Sequence, residues 1–471
     1  MHVVIIGNGI AGITCARHLR KRSPEVEITV VSGETDHHYS RPALMYLYMG
    51  HMRWPDLKPY EDWFWEKNRI GLRRAWVTGV DFAANTLTLD ETDSLAYDKL
   101  VLALGSVTSY YDWPGQDLDG VHGMVTTDDV AAMERHSDDG LEHAVIVGGG
   151  LIGVEMAECF HTRHIPVTFA VRESSYWSRV LPPEESAMVT EHIQGKHGID
   201  LRLNTELSEI WGDGQGKVKM AAMKGGEKVK CQFVGITAGV RPNVEWLSFT
   251  GLDIDRGILV DATLRTNYPD VYAVGDCAQI REPLPGRRPI EAIWYTGRMM
   301  GEVAAANVLG AELGYDPGIF FNSAKFFDLE YQVYGDVPAV LPEGHRWFYW
   351  RHPTEEKALR LYWNEGTGAV TGFHLMGIRY RHEVCAAWIA SKTPIAEVVE
   401  HLGLANFDPE FYREHEPAIV TAFNAQEGTS VKLHTRRGLP AVQRFLRRMH
   451  KIVPALAPRR ATTTPKYYEQ D

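Results

Sequence analysis

The chain has 471 residues, of which 44% are hydrophobic and 23% are charged, and its formal net charge is −12. This composition is typical of a globular protein of about three domains at ~150 residues each, and the acidic balance argues against a nucleic-acid partner. Met1 is followed at once by a strand pattern and no uncharged apolar run reaches ~18 residues, so we expect a cytoplasmic protein without a targeting or membrane-spanning segment.

A glycine-rich turn follows the first predicted strand. The apolar run from His2 to Ile6 leads into GNGIAG, Gly7 to Gly12, which opens a helix-forming run. Glycines at this spacing allow a tight turn, the approach of a pyrophosphate to the backbone and close helix packing, and the helix N-terminus adds partial positive charge. Glu34 follows the second strand, Val26 to Val31, where an acidic residue takes adenosine ribose hydroxyls, although a loop glutamate is the alternative.

The same plan is repeated about 140 residues later. A hairpin pattern (Trp76 to Leu89) and a strand ending at Gly105 come first, and GGGLIG at Gly148 to Gly153 then follows the strand Ala144 to Val147. The next strand ends at Val171 and is followed by arginine instead of a carboxylate. The two glycine-rich turns together predict a protein that holds two dinucleotides.

Residues from about 320 to 430 have the pattern of a third, α+β domain. The stretches NSAKFFDLEYQVYG, FYW, LRLYW and Val370 to Met376 alternate as strands, and a helix begins within Arg379 to Ile389. Val384, Ala387 and Trp388 form the apolar face of that helix.

The tail, residues 431–471, has a different composition. From Gly428 to Tyr468 there are ten lysines and arginines and no acidic residue. One helical face carries Val442, Phe445, Leu446, Met449 and Val453, which predicts a basic amphipathic helix. It would lie on an anionic membrane surface or an acidic partner, or else fold back onto the acidic body or mediate self-association as a homo-oligomer.

Cysteine and histidine spacings exclude two kinds of site. The five cysteines are scattered without a CxxC pair, so we expect no disulfide framework, and Cys15 and Cys159 fall where a small apolar residue packs on a sheet. Histidine pairs such as His37 and His38 lack the companions of a metal site. No bound metal is predicted.

The motifs in residues 1 to 320 resemble one family. GNGIAG, LVLALGS, AVIVGGGLIGVEMAE, GITAGVRPN and TNYPDVYAVGDCA occur in the order and spacing of the two-dinucleotide pyridine-nucleotide flavoprotein reductases, which include glutathione reductase and the ferredoxin and rubredoxin reductases. The resemblance implies an α/β fold with two Rossmann-like, glutathione reductase-like domains and an α+β C-terminal interface domain. Residues 1–121 and 246–320 would form the FAD-binding domain, 122–245 the NAD(P)-binding domain and 321–430 the interface domain.

The resemblance also implies two sets of binding residues. Asp276 matches the aspartate that accepts a hydrogen bond from the flavin ribitol, and Trp294 begins a segment resembling the helix that faces the flavin pyrimidine edge. The FAD set is Gly7, Gly9, Ile10, Ala11, Gly12, Glu34, Arg41, Pro42, Val77, Ala103, Gly105, Asp276 and Trp294. The pyridine nucleotide set is Gly148, Gly150, Leu151, Ile152, Gly153, Arg172 and Gly239.

Two residues are expected near the reacting rings. Glu155 matches the glutamate of the family's GxIGxE motif, which lies near the nicotinamide, and Tyr46 stands where ferredoxin reductases carry a lysine that pairs with that glutamate. The stretch Ser40 to Tyr48 has no cysteine, so no thiol relay is expected there. Reductases built in this way pass electrons to iron-sulfur proteins, quinones, nitrite-reducing partners or oxygen.

The choice between NADH and NADPH stays open. Arg172 resembles the arginine of NADPH-linked glutathione reductases and favours NADPH, because arginine pairs with the extra phosphate. Gly153 and Glu173 favour NADH, since the first is the NAD-type third glycine and the second would repel a phosphate.

The resemblance therefore predicts a FAD-dependent NAD(P)H:acceptor oxidoreductase, in which hydride passes from the nicotinamide to flavin N5 and electrons go on to a protein or small oxidant. Two alternatives remain: a nucleotide-gated interaction module, and a subunit that feeds electrons into a larger iron-sulfur complex.

Overall fold

The computed structural model describes residues 1–407, 413–434 and 439–452. None of the helices in these ranges combines the length and the apolar character needed to cross a membrane. The cytoplasmic location stays a prediction.

The chain divides into two compact units. The first comprises Met1–Ser174 and Gly198–Pro317, and the second comprises Ser175–His197 and the chain from Gly318 onward. The segment Ser175–His197, which lies inside the range 122–245 predicted for the NAD(P)-binding domain, groups with unit two. Within that unit the ring of Trp177 contacts Phe326 at a centroid distance of 5.8 Å. The predicted domain boundaries stay predictions.

The first part of unit one begins with a βαβ element and continues through a small antiparallel sheet. Its elements are β1 His2–Ile6, α1 Ile10–Arg22, β2 Glu27–Ser32, α2 Leu44–Tyr48, α3 Trp63–Lys67, β3 Gly71–Arg74, β4 Val77–Asp81, β5 Thr86–Leu89, β6 Asp93–Ala96, β7 Lys99–Leu102 and β8 Ser106–Thr108. The antiparallel pairing of β4 with β5 confirms the predicted hairpin.

The middle of the chain repeats the strand–turn–helix plan. Its elements are β9 Val121–His122, α4 Thr127–Asp138, β10 Ala144–Val147, α5 Leu151–Thr162, β11 Val167–Ala170, α6 Pro183–Glu191, β12 Asp200–Arg202, β13 Leu207–Gly212, β14 Val218–Met223, β15 Lys228–Lys230, β16 Phe233–Ile236 and β17 Val240–Pro242. Directly after α6, His192–Lys196 form a π-helical turn.

Unit one is completed by β18 Ile258–Val260, β19 Val271–Ala273, β20 Ala278–Ile280 and α7 Trp294–Val308. In the described chain, one parallel sheet has the order β19-β7-β1-β2-β3 and another has the order β12-β11-β10-β16-β9. The central strands β1 and β10 are buried along almost their whole length, as expected for sheets covered on both faces. Both predicted Rossmann-like domains are confirmed.

Unit two contains an antiparallel sheet of order β21-β22-β25-β24-β23 and helices beside it. Its further elements are β21 Phe321–Phe326, β22 Leu329–Gly335, β23 His345–Arg351, β24 Ala358–Asn364, β25 Val370–Met376, α8 His382–Ala390, α9 Ile395–Glu400, α10 Glu416–Glu427 and α11 Leu439–Ile452. The predicted apolar face of α8 is buried in the core of this unit.

The tail helix α11 folds back onto unit two. Val442 is buried in the core, and the ring of Phe445 lies 5.7 Å from that of Trp388 on α8. Arg444 and Arg447 remain exposed. The folding-back alternative is confirmed for this helix, while Val453 lies outside the described residues.

A buried ion pair joins α6 to the sheet of unit two. The guanidinium Nε of Arg360 donates to Oε1 of Glu185 at 2.7 Å, and the two side chains are 2% and 0% exposed. Burial alone would raise the pKa of Glu185, but His374 and Arg360 outweigh it and lower the pKa to about 2. The carboxylate is therefore charged and needed as the counter-ion of Arg360.

We expect Glu185→Ala to lower the free energy of unfolding by about 3–5 kcal/mol, because it leaves a buried guanidinium without its main partner. Urea unfolding at pH 7 measures this. Glu191→Ala is the control, since the pair of Glu191 with Arg351 is exposed and should contribute less than about 1 kcal/mol. Equal losses in the two variants would contradict the assignment.

The same pair gives a pH dependence. A carboxyl group whose pKa is lower in the folded than in the unfolded state contributes its full stabilisation of the fold above its unfolded pKa of about 4.3. That contribution is lost as the pH falls toward the folded pKa. The stability difference between the wild type and Glu185→Ala should therefore shrink as pH falls from about 4 toward 2.

Candidate functional site

The first glycine turn has the geometry of a phosphate cradle. Gly7 has a φ of +107°, and a Cβ on Gly12 would lie 2.1 Å from the carbonyl oxygen of Gly7. A Cβ on Gly9, in contrast, would have no described atom within 4 Å. Gly9 is also the N-cap of α1, whose first turn has neither a side-chain cap nor an acidic residue. The helix N-terminus thus faces open space that suits an anion.

The second turn has the same construction. Gly148 has a φ of +118°, and a Cβ on Gly153 would lie 2.3 Å from the carbonyl oxygen of Gly148. Around Gly150 the nearest described atom to a Cβ is the oxygen of Thr237, at 3.9 Å, and α5 begins at Leu151 without a side-chain cap. In both cradles, an added Cβ would clash at the first and third glycines, whereas it would meet no close atom at the middle glycine.

Glu34 lies in a network of charged hydrogen bonds. Its carboxylate pairs with the guanidinium of Arg41 and accepts a hydrogen bond from the Tyr39 hydroxyl and another, of 3.2 Å, from the backbone N–H of Thr127. Burial alone would raise the pKa of Glu34, but the hydrogen bond and charge of Arg41 outweigh it and lower that pKa. Glu34 is thus a fixed, ionised acceptor, and Arg41 is what holds it in place.

Asp276 lies at the end of β19, beside the first cradle. Gly275 has a φ of +75°, and a Cβ added to it would lie 3.0 Å from the Cβ of Ala11. The Ser106 hydroxyl donates to Oδ2 of Asp276 at 2.9 Å. Burial raises the pKa of Asp276. A second hydroxyl donor from a ligand would stabilise its ionised form.

Helix α7 packs closely against α1. A Cβ on Gly301 would lie 2.4 Å from the carbonyl oxygen of Ala11, and one on Gly297 would lie 3.6 Å from Ile10. Trp294 occupies the first turn of α7, which has no side-chain cap and no acidic residue. The N-terminus of α7 is therefore a second helix N-terminus without a side-chain cap beside the first cradle.

The residues predicted near the reacting rings lie on adjoining helices. Tyr46 is on α2 and Glu155 is on α5, and these helices pack against each other. The thiol of Cys159 on α5 donates to the carbonyl oxygen of Met45, with a sulfur–oxygen distance of 3.8 Å.

The remaining predicted residues lie at several places in unit one. The carbonyl oxygen of Ala103 lies 2.2 Å from the position of a Cβ on Gly7, whereas Val77 lies on β4 in the small antiparallel sheet. Pro42 is in a short 3₁₀ helix before α2. The backbone carbonyl of Gly239 accepts a hydrogen bond of 3.0 Å from Ser109. The φ of Gly105 is +67°.

Trp76 belongs to the surroundings of the first cradle, although the sequence analysis did not single it out. Its indole lies against Gly33, where a Cβ would be 2.2 Å from the ring, and the residue is 62% exposed. Gly33 directly precedes Glu34. The sequence carries no signal for this contact, because it joins residues that are distant along the chain.

Val171, the residue that follows β11, lies against the second cradle. A Cβ on Gly149 would be 2.8 Å from a methyl of Val171. Arg172, next in sequence, is 56% exposed at its side chain and donates from Nε to Oε1 of Glu173 at 3.0 Å. The arginine predicted to recognise a phosphate is therefore already paired with a carboxylate.

All five cysteines are buried. Cys277 adjoins Asp276, and burial raises the pKa of its thiol to about 12, while the same effect raises the pKa of Cys231 to about 12. Such thiols are protonated and poor nucleophiles near neutral pH. They serve as core residues.

Comparison with known proteins agrees with this geometry. Residues 1–301 match the pyridine nucleotide-disulphide oxidoreductase family. The chain is 29% identical over 458 residues to an NADH oxidase of Methanocaldococcus jannaschii, which covers 92% of this chain and 100% of the relative. It is 31% identical to the ferredoxin reductase component of a chlorobenzene dioxygenase from Cupriavidus, over 71% of this chain and 81% of the relative.

Among solved structures, a ferredoxin reductase from Rhodopseudomonas palustris superposes with a TM-score of 0.72 at 25% identity, covering 80% of this chain and 91% of the other. Two glycine cradles, two parallel sheets and the family match lead to one conclusion. The chain belongs to the pyridine nucleotide-disulphide oxidoreductase family and is a flavoprotein that uses FAD and a pyridine nucleotide in oxidation–reduction.

Proposed function

We propose that the first cradle binds FAD, that the second binds NAD(P)H, and that a redox protein takes the electrons. The cradles fit these groups because Gly9 and Gly150 leave open space at uncapped helix N-termini, where pyrophosphate oxygens would accept backbone hydrogen bonds. FAD, when bound, supplies a hydride acceptor for the nicotinamide and a donor of electrons to a second partner.

The residues around the first cradle would each hold one part of FAD. Glu34, fixed by Arg41, would accept hydrogen bonds from the adenosine ribose, and Asp276 would accept one from the ribitol. The open N-terminus of α7 at Trp294 would stabilise negative charge at the pyrimidine edge. These roles rest on the family resemblance and on the gathering of these residues beside one cradle.

Tyr46 and Glu155 would position the nicotinamide. Their helices pack side by side, so both side chains originate on rigid elements. A tyrosine offers a hydroxyl donor where the ferredoxin reductases carry a lysine, which keeps a hydrogen-bond donor but removes a charge.

The positions of the cysteines argue against a thiol relay between the flavin and its acceptor. The stretch Ser40 to Tyr48 contains no cysteine, and all five cysteines of the chain are buried. Electrons would therefore leave without a disulfide or thiol intermediate. The ferredoxin reductase relative supports an iron-sulfur acceptor, of ferredoxin or rubredoxin type.

Oxygen is the second candidate acceptor. The alignment with the NADH oxidase covers 92% of this chain and 100% of that relative, whereas the alignment with the ferredoxin reductase component covers 71% of this chain and 81% of that relative.

The acceptor is tested by reducing the purified holoprotein anaerobically with NADH or NADPH and mixing it with ferredoxin, rubredoxin or air-saturated buffer. We expect at least one of the two proteins to reoxidise the flavin about tenfold faster than oxygen does. Fast oxygen consumption without reduction of either protein would establish the oxidase instead. A long-lived reduced complex that reacts with none of them would favour the nucleotide-gated module.

The cradle assignment is tested at its open glycine. We expect Gly9→Ala to fold but to lose FAD occupancy at least tenfold, because its methyl meets no protein atom and would occupy the pyrophosphate space. The ratio of flavin to protein absorbance measures occupancy. Gly214→Ala is the matched control, since its Cβ also meets nothing, and it should keep its FAD. Full occupancy in Gly9→Ala would refute the assignment.

Nucleotide preference is tested at Glu173. We propose that this carboxylate restrains Arg172 and so suppresses binding of the NADPH phosphate. Glu173→Gln should therefore lower KM for NADPH about tenfold with little change for NADH, and Arg172→Ala should remove that gain. Steady-state kinetics with both nucleotides provide the measurement. An unchanged preference in Glu173→Gln would show that the pair has no part in selection.

A further inference from the structure

Two imidazoles and two carboxylates meet within unit two, at the end of the inserted segment. His192 and His197 lie in or directly after the π-helical turn, Asp328 lies in the turn between β21 and β22, and Glu356 precedes β24. One nitrogen of each histidine and one oxygen of Asp328 lie within 4.8 Å of one another. No metal site was predicted from the histidine spacings, and the tertiary structure brings these residues together from positions up to 164 apart.

The π-helical turn brings the two histidines together. The backbone N–H of His197 donates to the carbonyl oxygen of His192 at 3.3 Å, five residues back. In a regular α-helix, a side chain five positions further along the chain would point to a different face. The wider turn keeps both histidines on one side. Their ring centroids are 4.8 Å apart.

His192 is oriented as a metal ligand. Its residue is 1% exposed, and Nδ1 lies 2.7 Å from Oε1 of Glu356. A carboxylate on one ring nitrogen is the usual partner of a metal-bound histidine, because it fixes the tautomer and leaves the other nitrogen free to ligate. Nε2 lies 3.0 Å from Oδ1 of Asp328, yet it makes no hydrogen bond to any described residue.

His197 completes the group. Its Nε2 is 2.8 Å from the same Oδ1 of Asp328, and its ring stacks on Phe327 at a centroid distance of 4.2 Å. Ligands of a tetrahedral zinc at ~2.0–2.1 Å are separated by roughly 3.3 Å, so these distances need only small adjustments.

We propose that His192, His197 and Asp328 bind a divalent transition-metal ion of the Zn²⁺ class, with Glu356 as the carboxylate behind His192. Two imidazoles and one carboxylate are ligands that zinc prefers, and a water would take the fourth position because Asp328 is 57% exposed at its side chain. All four residues belong to unit two, whereas both glycine cradles belong to unit one.

Lys196 also pairs with these two carboxylates. Its Nζ lies 2.6 Å from Oδ2 of Asp328 and 3.2 Å from Oε2 of Glu356. These are the oxygens that the histidines do not contact. The ion and Lys196 therefore use different oxygens and bind at the same time.

The ion would have a structural role. It would fasten the end of Ser175–His197 to the turn between β21 and β22 within unit two, 131 residues further along the chain. The buried pair of Glu185 with Arg360 fastens the same segment to β24.

The test uses the full-length, untagged holoprotein, freed of metal by chelation and then titrated with ZnCl₂ in a calorimeter. We expect one ion per chain with Kd below about 1 µM and a higher melting temperature with zinc. His197→Gln and Asp328→Asn should weaken binding at least tenfold, and Glu356→Gln by about 10- to 100-fold. Co²⁺ in place of zinc should give the visible absorption of a tetrahedral ion in the wild type and lose it in Asp328→Asn.

Two controls separate this site from other sources of binding. Lys196→Met changes a neighbour that is not a ligand and should keep the affinity within about threefold. His136→Gln disrupts a second group of possible ligands, formed with Asp119 and His122, and should leave binding unchanged. The proposal would be overturned if the protein did not bind zinc at micromolar concentration. It would also be overturned if His136→Gln abolished binding while His197→Gln did not. Flavin content and NAD(P)H oxidation report separately on the proposed function.

Discussion

The contact between the first and third glycines of each cradle governs the arrangement of unit one. A Cβ on Gly12 or Gly153 would come within 2.1 or 2.3 Å of the carbonyl oxygen of the first glycine, so only glycine lets each helix start so close to its strand. That closeness leaves the uncapped helix N-terminus beside open space at the middle glycine. The anion binding proposed for both cradles would therefore follow from backbone packing, without a charged side chain.

Parallel pairing then gathers the other site residues. The central strand β1 lies next to β7, and β7 lies next to β19, all in the same direction. Carboxyl ends of parallel strands meet at one sheet edge, which is why Ala103 and Asp276 lie beside a cradle formed much earlier in the chain. The second sheet places Val171 next to Gly149 for the same reason.

The polar interactions of the site prepare some residues and restrain others. Arg41 keeps Glu34 ionised despite its burial, so the carboxylate is ready to accept hydrogen bonds. Glu173 instead occupies the guanidinium of Arg172. Burial of Cys277 next to Asp276 keeps a sulfur close to the proposed flavin site without making it reactive.

The sequence by itself determined the features whose cause is local. Glycine spacing fixed both cradles, alternation fixed the β4–β5 hairpin, and apolar periodicity fixed α8 and α11, because backbone sterics and side-chain periodicity act over a few residues. The pattern in α11 could not show that Trp388 covers Phe445. Only the tertiary structure decided that Ser175–His197 joins the C-terminal sheet, that Ser106 bonds Asp276 170 positions away, and that His192 meets Asp328 and Glu356. Such pairs depend on how distant strands and helices pack together, and no periodicity along the chain encodes that packing.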